Sequence, residues 1–276
     1  MIYPAYSVLI RVCNTDKSEW LSIALDSMIN QTVKPAEFVL VQDGPLTDDL
    51  QATIDRFKNE HPTLFKILPM QDQVGLGLAL RQGVPACSNG FIACMDATGY
   101  SAPTRIEEEF DAMFENKVDM VGANVNVFVD TIDKVIAYRK YPETPERIYK
   151  YAKKNAPMNL ASVLLKKRMV QVCENYENCY LAEDFALFIN LLRLNAKGYN
   201  IQKPLVYKRY NNAVQKQHSN WMHFKAMVEF NQLFYKTGWF SYRDYIRRTI
   251  RIGVESFMPP VMKKCFANKS FGCRGV

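Results

Sequence analysis

The stretch Val39-Leu40-Val41-Gln42-Asp43-Gly44 decides the fold, because a short apolar run rich in β-branched residues leads directly into a carboxylate and a turn. A second run, Phe91-Ile92-Ala93-Cys94-Met95, is followed in the same way by Asp96. Ligands of open α/β sheets bind beyond the carboxyl ends of the strands, so both acids are predicted to lie at one binding edge. A third acidic site, Glu183-Asp184, stands where a helix is predicted to begin. These three sites predict a polar ligand that carries its own charge.

Strand and helix patterns alternate along the chain outside these stretches. Apolar runs predict four early strands, at 7–12, 38–41, 64–68 and 91–95. Amphipathic segments predict the helices between them, at 18–30, 47–57 and 76–85. Later helices are predicted at 103–114, 143–153 and 184–195, and later strands at 120–122, 125–129, 134–138 and 162–165. This order predicts an α/β fold with a mixed, mainly parallel sheet flanked by helices.

The charge of the chain is unevenly distributed. Residues 201–276 hold 14 Lys+Arg and 3 Asp+Glu, a net charge of +11, whereas the first 200 residues hold 21 and 25, a net charge of −4. From about Ile201 the sequence becomes basic and aromatic, with two helices predicted at 221–235 and 242–257. We therefore predict a main domain over 1–210 and a basic helical C-terminal extension over 211–276. A basic surface of this kind suits phospholipid headgroups, nucleic acid or a phosphorylated substrate.

Composition favours a folded protein with reduced thiols. The 276 residues are 48% hydrophobic and 23% charged, which is typical of a globular protein able to bury a large core. The seven cysteines have no C-x-x-C spacing, so neither a zinc site nor a disulfide framework is predicted. The sequence shows no signal-peptide pattern and no apolar run of membrane-spanning length. We expect a cytoplasmic protein.

Three quoted segments carry a resemblance to a known family. They are "YSVLIRVCNTDKSEWLSIALDSMINQTVKPAEFVLVQDGPLTDDL", "GLGLALRQGVPACSNGFIACMDATGYSAPTRIEEEF" and "YLAEDFALFINLL". Their order and spacing over about residues 5–210 resemble the bacterial family 2 glycosyltransferases that build capsule, O-antigen or exopolysaccharide. The resemblance implies the GT-A fold, a Rossmann-like sheet, and inverting transfer of a sugar from a nucleotide donor, most simply UDP-linked, to a lipid-linked saccharide.

The resemblance also implies a role for each matching residue. Asp184 matches the base that removes the proton from the acceptor hydroxyl, with Glu183 beside it. Asp96 matches the first acid of the family's D-x-D motif, which meets the ribose and a divalent metal that bridges the phosphates. The nucleotide is expected to contact the following set: Arg11, Cys13, Asn14, Asp43, Gln73, Arg81 and Asp96.

The sequence departs from the family at the D-x-D motif, because Asp96-Ala97-Thr98 ends in a neutral hydroxyl. Thr98 is a poorer ligand than a carboxylate for Mg²⁺ or Mn²⁺. Three outcomes stay open at this point. Asp96 binds a cation weakly with water and His218, or Arg11 or Arg81 replaces the metal on the diphosphate, or transfer activity has been lost.

Two other functions are weighed against an active transferase. The altered motif motivates the first, a degenerate glycosyltransferase domain that binds a nucleotide or a partner enzyme without turnover. The second is a nucleotidyltransferase, but the segment after the first strand lacks the Gly-rich basic loop that such enzymes usually carry.

The last predicted helix bears on the partner of the extension. Arg243, Arg247 and Arg251 share one of its faces, and Ile246, Ile250, Val254 and Phe257 share another. One interpretation is a packed helix with a solvated basic face. The other is a peripheral helix on an anionic membrane, at the inner face of the plasma membrane. Single-stranded nucleic acid has no further support in the sequence, and we expect no such partner.

Overall fold

The computed structural model describes residues 2–173, 179, 182–210 and 221–257. Within them one sheet contains nine strands: β1 Tyr6–Val12, β2 Glu37–Gln42, β3 Phe65–Pro69, β4 Phe91–Asp96, β5 Tyr100–Ser101, β6 Met120–Phe128, β7 Val135–Arg139, β8 Leu164–Lys166 and β9 Gly198–Arg209. The α-helices of the described part are α1 Ser18–Ile29, α2 Asp48–Glu60, α3 Leu76–Ala86, α4 Arg105–Glu115, α5 Pro145–Ala152, α6 Lys167–Val172, α7 Glu183–Arg193, α8 Trp221–Lys236 and α9 Tyr242–Phe257. A 3₁₀ turn spans Leu160–Ser162.

The sheet is mixed and its first half is parallel. Its order is β3-β2-β1-β4-β8-β6-β9-β5, and β7 pairs with the far part of β6. Strands β3, β2, β1 and β4 run parallel, β8 runs antiparallel to both neighbours, and β6 and β9 are parallel to each other. The predicted α/β architecture with a mixed, mainly parallel sheet is confirmed.

Two apolar layers cover the two faces of the sheet. Helices α1, α2 and α4 pack on one face against Val8, Ile10 and their neighbours. Helices α3, α5 and α7 pack on the other face against Leu9, Val39 and Val41. The predicted C-terminal helices exist as α8 and α9, and α8 contributes to this second layer. Because side chains alternate along a strand, each apolar run supplies both layers.

The same alternation brings the polar residues at the strand ends to one face. Leu9 belongs to the layer under α3 and α7, so Arg11, two residues further along β1, lies on that face. Ile92 and Cys94 belong to the same layer, so Asp96 at the end of β4 lies there too. Helix α7 covers this face and begins at Glu183. The strand-end charges and α7 therefore lie on the same face of the sheet.

A buried ion pair supports β4 from the opposite face. Arg105 donates from Nε to Glu109 at 2.8 Å and from Nη2 to the Cys94 carbonyl at 3.0 Å, and both charged side chains are fully buried. Burial raises the pKa of the Glu109 carboxyl to about 7, and the Arg105 charge opposes that shift. The pair fixes the strand that carries Asp96, because an unpaired charge here would be costly.

The sequence analysis missed one strand, β9, which contains Ile201 and pairs along the whole of β6. This strand ends at Arg209, before residue 211, where the basic extension is predicted to begin. Two features hid this strand. It carries Pro204 and several charged residues, and its register with β6 shifts around Asn124. The predicted strands 120–122 and 125–129 are likewise one strand, β6, with the irregularity in its middle.

Candidate functional site

The crevice beyond the carboxyl ends of β1 and β4 is the candidate site. From β1 the chain adds β2 and β3 on one side, and β4 then joins on the other side, so the strand order reverses between β1 and β4. Ligands of open α/β sheets bind at such a switch point. The parallel register places Arg11 directly beside Asp96. Two of the residues predicted from sequence therefore meet at the expected place.

The Asp43 carboxylate holds this edge together. Its side chain is buried, with 1% of the residue exposed. It accepts a hydrogen bond from Arg11 Nε at 2.8 Å, and Arg11 Nη2 also donates to the same oxygen. The backbone amides of Val74 and Gly75 donate to Asp43 as well, at 2.6 Å and 3.1 Å. One buried charge thus joins the ends of β1 and β2 to the loop before α3.

The turn after Asp43 fits tightly against the same loop. Gly44 has φ +83°, a region that favours glycine, and a Cβ atom there would lie 2.8 Å from the Gln73 amide nitrogen. The side chain of Gln73 is exposed at this contact. Gln73, a predicted nucleotide contact, is therefore held next to the Asp43 turn.

The other predicted nucleotide residues border this edge in different ways. Cys13 is buried, and its amide donates to the Asp16 carboxylate at 2.9 Å. Asn14 is exposed in the turn after β1, and Arg81 is exposed on the second turn of α3. Arg11 keeps 19% of its side chain exposed while it pairs with Asp43. It is therefore the predicted cation that lies within the switch-point crevice itself.

Asp16 is a site residue that the sequence analysis missed. Burial raises the pKa of its carboxyl, the nearby Asp96 charge raises it further, and the hydrogen bond from the Cys13 amide and the Arg11 charge lower it. Asp16, Asp96 and Arg11 are therefore close enough to influence one another. Its position in the loop after β1, two residues beyond the predicted contact Asn14, was the available signal.

The described residues around the Asp96 carboxylate bring it a hydroxyl and an ammonium group. Its Oδ1 atom accepts from the Thr98 amide at 3.0 Å and from the Thr98 hydroxyl at 2.9 Å. Its Oδ2 atom faces the Lys208 ammonium at 3.9 Å. Among the residues that the structure describes, no group of three or more His, Cys, Asp or Glu side chains could hold a metal ion. An acid beside a cation is a poor donor set for a divalent metal.

The predicted metal ligand His218 lies outside the described residues, so the structure adds nothing about its role. The same holds for Leu181 in the quoted "YLAEDFALFINLL" segment and for the end of the predicted extension. The cysteines of the described part form no disulfide with one another.

Asp184 and Glu183 open α7, as the sequence predicts. The Asp184 carboxylate accepts from the Phe185 amide at 2.7 Å, a helix N-terminal contact. Both acidic side chains are partly exposed. Asp184 is thus presented at the end of a helix whose remaining turns are buried on the face that carries Arg11 and Asp96.

Tyr141 is the neighbour of Asp184 that sequence reasoning missed. Burial raises the pKa of the Tyr141 hydroxyl, the Arg139 charge and a hydrogen bond with the Asn159 side chain lower it, and the Asp184 charge raises it. Asn159 opens the 3₁₀ turn Leu160–Ser162, which packs against β4. Asp184, Tyr141 and Asn159 therefore form a second polar group, which is linked through that turn to the strand of Asp96.

A buried asparagine in β6 positions Tyr141. Asn124 is fully buried, accepts from the Tyr141 amide at 2.8 Å, and donates to the Tyr138 hydroxyl at 2.7 Å. A buried polar residue is retained where its hydrogen bonds are all used. Asn124 and Asn126 interrupt an apolar strand, and this was the signal in the sequence that the segment is held in place.

The strand order and the acidic residues at the switch point fit the GT-A fold that the sequence analysis expects. The sequence profile described as "Glycosyl transferase family 2" matches residues 7–170, more than half of the chain. The protein belongs to glycosyl transferase family 2 and is a glycosyltransferase.

Named relatives extend over most of the chain. The chain is 30% identical, over 95% of its length and 96% of the relative's, to the Escherichia coli UDP-Gal:alpha-D-GlcNAc-diphosphoundecaprenol beta-1,3-galactosyltransferase. It is 28% identical, over 83% of its length and 85% of the relative's, to the amylovoran biosynthesis glycosyltransferase AmsE of Erwinia amylovora. Both relatives are named as enzymes that transfer sugars, so they favour neither the non-catalytic alternative nor a nucleotidyltransferase.

A solved structure supports the fold independently. The crystal structure of S. aureus TarS 1-349 in complex with UDP-GlcNAc has a TM-score of 0.62 to this chain at 14% sequence identity. The similarity covers 82% of this chain and 65% of TarS 1-349. At this identity the likeness establishes the GT-A fold.

The Arg11–Asp43 contact predicts a measurable coupling energy. We expect a double-mutant cycle of Arg11→Gln and Asp43→Asn, followed by urea unfolding, to give a coupling of about 1.5–3 kcal/mol, because hydrogen bonds to buried charged groups have this magnitude. The surface pair Arg56–Glu60, which is half exposed, is the control, and Arg56→Gln with Glu60→Gln should give about 0.3–0.5 kcal/mol. Equal couplings for the two pairs would contradict the structural role of Asp43.

Proposed function

We propose that this glycosyltransferase moves a sugar from a UDP-linked donor to a hydroxyl of a lipid-linked saccharide, with inversion at the anomeric carbon. UDP-galactose and an acceptor that carries a lipid diphosphate are the first substrates to test. The relative at 30% identity over 95% of the chain carries both in its name. The proposed setting is surface polysaccharide synthesis, which suits the relative named for amylovoran biosynthesis.

The proposed reaction is a single displacement with Asp184 as general base. The acceptor hydroxyl gives its proton to the Asp184 carboxylate, and its oxygen forms a bond to the anomeric carbon. The bond between that carbon and the donor diphosphate breaks in the same step, so the configuration inverts. Arg11, fixed by Asp43, contributes positive charge at the edge where the nucleotide would lie.

The position of Asp184 is the observation that carries this proposal. A partly exposed carboxylate opens α7 on the same face of the sheet as Arg11 and Asp96. The Asp184 charge raises the pKa of the Tyr141 hydroxyl, so that hydroxyl lies near the carboxylate. A carboxylate at a helix N-terminus is also favoured by the helix macrodipole.

The base role predicts a separation of turnover from binding. We expect Asp184→Asn to lower the transfer rate from UDP-galactose by about 10²- to 10⁴-fold, the usual contribution of a general base, while the affinity for UDP stays unchanged. Transfer is measured by product formation and affinity by calorimetric titration. Asp55→Asn, on the exposed surface of α2, is the activity control. Wild-type turnover in Asp184→Asn, or loss of UDP binding with turnover, would remove Asp184 from the base role.

We also propose that α9 docks on an anionic membrane surface, where a lipid-linked acceptor resides. Its exposed side carries an apolar stripe, with 62% of Ile250 and 51% of Val254 exposed. Arg243 and Arg247 are exposed next to this stripe. Apolar residues flanked by arginines are the composition of helices that lie in a bilayer interface. In the described residues, no helix is long and apolar enough to cross a membrane.

The opposite side of α9 is fixed to the body of the protein, which supports a rigid docking surface. Arg248 donates from Nε to the Asn231 side chain at 2.8 Å, and Nη1 donates to the Lys154 carbonyl. Its guanidinium lies 4.5 Å from the centre of the Phe240 ring. Arg248 therefore anchors the helix, whereas Arg243 and Arg247 are exposed.

Vesicle binding tests the docking surface. We expect Ile250→Ser/Val254→Ser to lower partition onto phosphatidylglycerol-containing vesicles by about tenfold or more, because each aliphatic side chain gains about 1.5–3 kcal/mol on burial. The matched control is Val135→Ser/Ile136→Ser, an exposed pair on β7, which should bind like wild type. Arg243→Gln/Arg247→Gln should weaken binding to anionic vesicles roughly 30-fold, at about 1 kcal/mol per charge. Equal partition of the α9 and β7 variants would leave α9 as a packed helix only.

A further inference from the structure

Lys208 lies beside Asp96, the acid that matches the first position of the family's D-x-D motif. It belongs to β9, and its ammonium is 3.9 Å from Asp96 Oδ2. That separation is an ion pair and is too long for a hydrogen bond, so the ammonium donors are not used by Asp96. Side-chain exposures of 37% for Lys208 and 32% for Asp96 leave both groups partly accessible to solvent.

The sheet fixes this pairing. Tyr100 of β5 pairs with Tyr207 of β9, which brings the loop after Asp96 against the strand that carries Lys208. Gly99 permits the close approach, since a Cβ atom there would lie 3.3 Å from the Tyr207 carbonyl oxygen. Lys208 itself is in register with Val127 of β6. Strand pairing on both sides of β9 therefore fixes the backbone position of Lys208.

Thr98 completes the replacement of the metal site. A second acid at this position could ligate a cation, but the Thr98 hydroxyl instead donates to Asp96. That bond occupies Oδ1 and leaves Oδ2 toward Lys208. The two differences from the family pattern are thus complementary, because one negative charge is missing and one positive charge lies beside the remaining acid.

We propose that Lys208, held in place by Asp96, supplies to the donor diphosphate the positive charge that a divalent cation supplies in relatives with an intact D-x-D. This inference rests on the proposed UDP-sugar donor. Lysine binds phosphate as a point charge, and charge on the leaving diphosphate must be stabilised when the sugar bond breaks. Arg11 donates from both Nε and Nη2 to Asp43, whereas the Lys208 ammonium lies beyond hydrogen-bond distance of Asp96, so Lys208 is assigned to the diphosphate.

Calorimetric titration of UDP and of uridine into the full-length protein tests this assignment. We expect wild-type affinity for UDP to be the same with Mn²⁺ and with chelator. Lys208→Gln should weaken UDP binding about tenfold or more, as expected when a charged hydrogen bond is lost, and should leave uridine binding unchanged. Lys208→Arg should retain much of the UDP affinity. The matched control is Lys203→Gln on the same strand, where the lysine pairs with Glu108 on the surface, and it should bind UDP like wild type.

A second variant tests the exchange in the other direction. Thr98→Asp/Lys208→Gln restores an acid and removes the lysine, so we expect UDP binding to return with Mn²⁺ and to be lost with chelator. Mn²⁺-dependent binding by the wild type, with no effect of Lys208→Gln, would overturn the Lys208 assignment and leave the proposed function standing. Failure of the wild type to bind UDP or any other nucleoside diphosphate would overturn both.

Discussion

The buried carboxylate of Asp43 is the constraint on which the site depends. This carboxylate is buried, so its oxygens need hydrogen bonds from within the protein. Arg11 and the backbone amides of Val74 and Gly75 supply them. That requirement joins three separate segments at the switch point of the sheet. The side chain that the family resemblance assigns to the nucleotide therefore has a structural task as well, since it aims Arg11 and fixes the loop before α3.

The charges of the site are arranged as complementary pairs around this constraint. Arg11 forms an ion pair with Asp43, and Lys208 forms an ion pair with Asp96. A nucleoside diphosphate would enter a crevice that already contains fixed positive charge and would need little rearrangement of the protein. Asp184 is partly exposed at the start of α7 and accepts from the Phe185 amide. An accessible carboxylate in this position suits a group that must accept a proton.

Strong local patterns made most of the fold predictable from sequence. The buried strands β1 to β4 are apolar and β-branched, and acids directly follow two of them, so Asp43 and Asp96 could be assigned to strand ends from residue patterns alone. Strand β9 was missed because it contains Pro204 and several charged residues, which are typical of a loop. Its register with β6 is also irregular, so its apolar residues do not alternate evenly. Lys208 and Tyr141 were missed for a related reason. Pairing between distant strands brings Lys208 to the site, and the buried Asn124 holds Tyr141 there. Such long-range contacts leave no local periodicity in the sequence.

The stereochemistry of the product tests the central claim most directly. The protein is incubated with UDP-α-galactose, UDP-α-glucose or UDP-α-GlcNAc and a synthetic lipid diphosphate saccharide, and the anomeric proton of the product is examined by NMR. The account predicts a β-linked product from whichever donor is used, because one displacement assisted by Asp184 inverts the α-linked donor. An α-linked product, or no transfer from any of these donors, would contradict it.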